Sequence, residues 1–160
     1  MTASLYSIEL PTNNHIANSY MGQLSFSGHE SFQCRNLWLK KGYEYSMNGG
    51  SFNDDHAVVS LGVGKNMVTS IRYWLSAFGL LDEEGGVSNL AAYLFDDQTG
   101  KDPFLEDIGT LWLLHYLLVQ NDRASIYGLF FNEFRKQKIE FSKDQLKQFL
   151  IKYTEEKEEK

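Results

Sequence analysis

The chain has 160 residues, with 15 Lys and Arg against 21 Asp and Glu and a formal charge of −6. That balance excludes strong non-specific DNA binding through a basic surface. A content of 42% hydrophobic and 14% aromatic residues excludes a disordered chain and suits one domain or two very small ones. The single cysteine, Cys34, excludes an internal disulfide and a cysteine-rich zinc site, and makes a cytoplasmic setting the simplest expectation. No apolar run reaches the ~18 residues of a membrane span. The start, MTASLYSIELPTNN, lacks the basic and apolar blocks of a signal peptide.

Taken in chain order, residues 1–23 are polar and Asn-rich and read as an N-terminal arm. Leu24, Phe26 and Phe32 alternate in part, as in a short strand. A helix is predicted from Gln33 to Met47, with Cys34, Leu37, Trp38 and Tyr45 on its apolar face, until Asn48–Ser51 (NGGS) breaks it. A second helix begins near Asn53, capped by Asn53 or Asp54, and stops at Gly62. A third runs from Lys65 to Phe78, with Val68, Ile71, Leu75 and Phe78 forming a buried stripe and Gly79 ending it. Leu80 and Leu81 then start a strand, and Glu83–Gly86 (EEGG) form a turn. The next stretch, VSNLAAYLF, is either the return strand or a short helix capped by Ser88. Residues 24–95 are therefore expected to be a winged helix-turn-helix with a short β-hairpin wing.

Asp96–Asp102 (DDQTGKD) reads as a loop. Asp102 is the expected N-cap and Pro103 the first position of an apolar helix that includes Leu105–Val119. Further helices are expected over Ala124–Phe134 and Lys143–Tyr153, the latter capped by Ser142. The mainly α chain thus gains a C-terminal helical region, 96–153, and a solvated charged tail, 154–160.

One segment points at a class of ligand. On the third helix Lys65, Asn66, Thr69, Arg72 and Tyr73 fall mainly opposite the apolar stripe. They supply two cations, no acid and an amide able to pair with a base edge, as a major-groove helix requires. Lys40 and Lys41 are candidate phosphate contacts, and Arg35 either joins them or pairs with Glu30. Trp74 and Met67 are expected in or near the core. Charge distribution bears on this reading. Residues 1–81 are neutral overall, 82–107 carry a net −7, and 108–160 a net +1. The acidity follows the proposed reading helix, which leaves room for local, weak or partner-assisted contact with double-stranded DNA.

Other chemistry is weaker. GVGKN lacks the first glycine of a phosphate loop, where Val59 stands, and has Asn66 in place of Ser or Thr. His29 and Glu30 are adjacent, a spacing that points two side chains apart in a strand, so a structural use is favoured over a general base and its orienter. Asp102, Glu106 and Asp107 suit a helix start better than a metal. His15, His29, His56 and His115 are scattered, without metal-ligand spacing. His115 in LWLLHYLL reads as a core histidine, and Cys34 as a small apolar residue. No cofactor or catalytic residue is expected.

Three motifs in order, FSGHESFQCRNLWLKKGY, LGVGKNMVTSIRYWLSAFGLL and DPFLEDIGTLWLLHYLL, resemble the prokaryotic domain-of-unknown-function family 4007. The resemblance covers about Phe26 to Leu118, and more loosely Phe131–Asn132. Its pattern includes His29, Glu30, Phe32, Arg35, Trp38 and Lys41, then Gly62, Gly64, Lys65, Asn66, Met67, Ile71, Arg72 and Trp74. It implies a DNA-associated protein found with phosphoadenosine-phosphosulfate (PAPS)-reductase-like enzymes, in DNA phosphorothioation and anti-phage defence. It supplies no catalytic residue, and members of the family are usually longer.

The combined expectation is a non-enzymatic DNA-binding accessory or regulatory protein of such a system. The alternative is an adaptor that docks a sulfur-transfer or nuclease partner through Trp112, Tyr116, Tyr127, Phe130, Phe131 and Phe134, without touching DNA. A hydrolase built on His29 and Glu30 is the least favoured reading.

Overall fold

The computed structural model describes residues 24–158 apart from residues 36 and 83. The proposed arm, residues 1–23, lies outside the described residues, as do His15 and the last two residues of the tail. Helix α1 (Trp38–Met47) is followed by the short α2 (Ala57–Leu61) and by α3 (Lys65–Ala77). Gly62 ends α2 at φ 61°, a left-handed conformation that costs glycine little. Gly64 then leads into α3 in an extended conformation. These two glycines make the tight turn between α2 and α3. Helix α1 lies across α3 at Gly42, where an added Cβ would come 2.6 Å from Leu75 Cδ1 and 2.8 Å from Ile71 Cγ2. Glycine is retained inside a helix there because the two helices touch.

Val68, Ile71 and Leu75 of α3 are buried as the stripe predicts, and Phe78 is half-buried. Each full burial of such a side chain contributes roughly 1.5–3 kcal/mol. Trp74 joins the core, its indole donating to Phe32 O at 3.0 Å, and Met67 packs half-buried against it. Helix α4 (Asn89–Phe95) is capped by Ser88, whose Oγ accepts from Ala91 N at 3.2 Å. Helix α5 (Ile108–Gln120) adds Leu114 and Leu118 to the same core. One core therefore runs across the boundary expected near residue 95.

A 3₁₀ turn (Asp122–Ala124), α6 (Ser125–Gly128), a π-turn (Leu129–Phe134) and α7 (Arg135–Gln137) follow in succession. Helix α8 (Lys143–Glu158) closes the described chain. Its start is a capping box: Ser142 Oγ accepts from Gln145 N, and Ser142 N donates to Gln145 Oε1 at 2.9 Å. Phe134, Phe141 and Phe149 hold this end together, with ring centroids 5.1 Å apart in two of the pairs.

The expected β-hairpin wing is not there. Among the described residues no strand forms, and only one antiparallel bridge, Leu81 to Val87, marks the place. Asp82 closes the turn by itself, its N–H donating to Gly86 O and its Oδ1 accepting from Gly86 N at 2.7 Å. Ser88 then caps α4, so the return has no length for a ladder. The expected strand over 24–32 is irregular chain as well, with Glu30 and Ser31 at positive φ.

Several helices start later than expected. Leu37, at φ 64°, delays α1 to Trp38. Asp54 Oδ1 accepts from His56 N, so it holds a turn ahead of α2. Asp102 accepts from the N–H groups of Glu106 and Asp107 at 2.9 and 3.1 Å. It fixes a loop, and Asp107 caps α5 in its place. Residues 154–158, expected to be tail, extend α8.

Candidate nucleic-acid interface

The open face of α3 is a row at helical spacing. Lys65, Asn66, Thr69 and Arg72 are all exposed, because the stripe opposite them is drawn into the core. Lys65 Nζ lies 3.9 Å from Asp55 Oδ1 with both side chains almost fully in solvent, a pairing of little energetic consequence. Arg72 donates to Asn53 Oδ1 at 2.8 Å. That partner is neutral, so no carboxylate offsets the guanidinium charge there.

The other four expected contacts are placed differently. Lys40 is 6% exposed, so it does not reach phosphate. Its ammonium donates to Phe95 O at 2.7 Å and pairs with Asp97 and with Glu44. Lys41 is exposed but donates to Leu61 O at 3.0 Å, capping the carbonyl end of α2. Arg35 is exposed and stacks over Phe32 and Trp38, 5.7 and 5.4 Å from the ring centroids. It forms no ion pair with Glu30 among the described residues. Tyr73 is half-buried, and its hydroxyl donates to Arg123 O at 3.2 Å. Burial raises its pKa above the ordinary 10, so the phenol stays protonated.

Tyr73 is the wall between two cavities. On one side is a cleft of about 620 Å³ that includes Thr69, Arg72 and Arg123 together with Asp82, Glu84 and Asp122. Burial raises the Asp122 pKa. On the other side is a pocket of about 430 Å³, lined by Phe26, His29, Tyr73, Tyr127 and Phe130 among others. The His29 ring lies 5.6 Å from Tyr73 and 6.1 Å from Trp74, whereas Glu30 is exposed. Sequence reasoning noticed His29 and the C-terminal aromatics separately. Nothing local signals that the chain near residue 26 folds onto α6. Reciprocal bonds fix that docking: Ser25 N donates to Ser125 Oγ at 2.9 Å, and Ser125 N to Ser25 O at 3.1 Å.

Cys34 is inert, its thiol pushed up to about 12 by burial. His115 is half-buried, edge-on to Phe131 at 4.7 Å. Helix α5 also keeps an apolar face in solvent, with Ile108 at 68% and Trp112 at 67% exposure, flanked by Leu111, Tyr116 and Phe104. Among the described residues no helix is long and apolar enough to cross a membrane. No three His, Cys, Asp or Glu side chains there converge as a metal site.

Residues 26–160 match the family described as a protein of unknown function, DUF4007. Two solved structures of a protein called SspB resemble this chain. One, with a magnesium ion bound, is 40% identical with a TM-score of 0.54, over 61% of this chain and 31% of that one. The other is 34% identical with a TM-score of 0.53, over 67% and 36%. The match thus spans about a third of the length of the SspB chains. No curated protein sequence matches.

Proposed function

The chain belongs to the DUF4007 family of proteins of unknown function, and from that premise we propose that it is a DNA-binding accessory of a prokaryotic DNA-modification or anti-phage defence system, acting by recognition. The observation that carries this reading is the exposed row Lys65, Asn66, Thr69 and Arg72 on a helix entered through a tight turn from α2. Such a row presents cations to phosphate and an amide to a base edge at the pitch of one helix face. The acids around it, Asp54 and Asp55 at one end and Asp82 and Glu84 at the other, keep the contact local and the affinity modest. A PAPS-reductase-like enzyme is a candidate partner in that setting.

The test is fluorescence anisotropy with a random duplex at low and physiological salt. Binding weakens with salt. Arg72→Ala lowers affinity by about 1–3 kcal/mol if the side chain meets a base, and Lys65→Ala reduces the salt slope by about one. Absence of binding by folded wild-type protein overturns the reading.

The exposed apolar face of α5 favours a second reading, an adaptor that docks a sulfur-transfer or nuclease protein. Clustered apolar surface of this kind marks interaction sites, and such a dock would be insensitive to salt.

A further inference from the structure

We propose that the aromatic pocket behind Tyr73 receives a single unstacked nucleobase from a DNA strand lying along α3, with Arg72 and Arg123 meeting its phosphate. The inference rests on the DNA-contact reading above and names what that surface takes.

Three observations converge on it. First, the cavity lined by Arg72 and Arg123 and the aromatic pocket share one residue, Tyr73, so the two lie side by side. Second, the pocket offers what a base needs. Phe26, Tyr127 and Phe130 supply ring faces and edges for stacking, which tolerates any base. His29 supplies a ring nitrogen for a base edge within a wall otherwise made of aromatic residues and of Ile126 and Leu146. About 430 Å³ falls within the range of small-molecule pockets. Phe130 is set in place by the π-turn Leu129–Phe134, a rare helical form found often at functional sites.

Third, the charges select one nucleotide over a run of them. The ion pairs formed among the described residues involve Lys40, Lys65 and Lys152, not Arg72 or Arg123. Both arginines line the cleft with Asp82, Glu84 and Asp122, and Arg72 holds only the neutral Asn53 Oδ1. Three carboxylates against two guanidiniums disfavour a continuous phosphate track, so any phosphate contact here is confined to the two arginines.

The experiment compares three labelled probes by anisotropy: a fully paired duplex, the same duplex with one central mismatch, and the single strand. A mismatched base costs least to unstack. The mismatched duplex is expected to bind at least about fivefold tighter than the paired one, which must break a base pair before the stacking is gained. Phe26→Ala, at a partly exposed site, removes most of that preference and leaves paired-duplex affinity in place, and Phe26→Trp retains the preference. Arg72→Ala weakens both duplexes. Equal binding of paired and mismatched duplexes overturns the base pocket and leaves the DNA-contact reading standing. A preference that survives in both Phe26→Ala and His29→Ala also overturns the pocket. Failure of folded protein to bind any probe overturns both readings and points to a protein side chain as the pocket's occupant.

Discussion

Lys40 shows how one side chain can be misassigned from its neighbours in sequence. Beside Lys41 it reads as a basic pair at a surface, yet its acceptor Phe95 O lies 55 positions away. Burial pushes the Lys40 ammonium pKa down, but hydrogen bonds to Asp97 and Glu44 more than offset this and hold it above the ordinary 10.5. A pKa raised on folding gives stability that is complete below the unfolded value and lost as pH rises through the folded one. Lys40→Met should therefore cost about 1–3 kcal/mol at neutral pH, by leaving Phe95 O at the end of α4 without this donor. In a chain of this size that lowers Tm by roughly 2–4 °C per kcal/mol. The difference between Lys40→Met and wild type should close in alkaline solution. Asp102 has the opposite sign. Burial raises its pKa, and the N–H groups of Glu106 and Asp107 outweigh that and hold it below the ordinary 3.8. Its contribution is present above that value and lost as pH falls through the folded pKa. Asp102→Ala should destabilise by about 1–3 kcal/mol near pH 7 and progressively less as pH falls below the ordinary carboxylate range, as denaturant melts along an acid series would show.

At the scale of elements, the α2–turn–α3 unit depends on Gly62. Its missing Cβ would meet nothing within 4 Å, so the whole cost of a side chain there is backbone strain at φ 61°. Gly62→Ala should cost about 1 kcal/mol. Gly62→Asn should cost less, since Asn tolerates the left-handed region, and thermal melts of both variants separate the two. This unit was legible because its signals are local: a glycine stop, a 3.6-residue apolar period and a polar face. The wing was not. Two leucines followed by EEGG look like a hairpin, but whether Val87 goes on pairing or yields to a Ser88 cap is decided by the packing of α4. The late start of α1 escaped for the same reason. Leu37 turns left-handed, while Phe32 O is held by Trp74 Nε1 and Ser70 Oγ from α3. The exposed members of the proposed DNA face were readable from one helix. The Tyr73 wall and its two cavities needed the fold, because they join the chain near residue 26, α3 and the segment after α5.

At the scale of the molecule, α5 divides its apolar residues between two tasks. Leu114 and Leu118 complete the core that α1–α4 begin, while Ile108, Leu111, Trp112 and Tyr116 face solvent. The high apolar content of this helix was plain in sequence, but its amphipathic pattern was not, because both faces carry large apolar residues. The division makes the exposed face separable from the fold. Substituting Ile108→Lys and Trp112→Lys together removes two large apolar groups from solvent contact, leaves the buried Leu114 and Leu118 in place, and adds positive charge to a chain whose net charge is negative. Surface changes of this kind usually move stability by no more than about 0.5 kcal/mol each. The double variant should therefore melt within roughly 4 °C of wild type, given the Tm sensitivity expected at this size. It should bind DNA through α3 as before and lose any apolar, salt-insensitive partner. Calorimetry and anisotropy on the same preparation check the first two, and a pull-down at high salt the third. A loss of more than about 2 kcal/mol would mean that the face is packed in solution, and the adaptor reading would then have to be rebuilt around self-association.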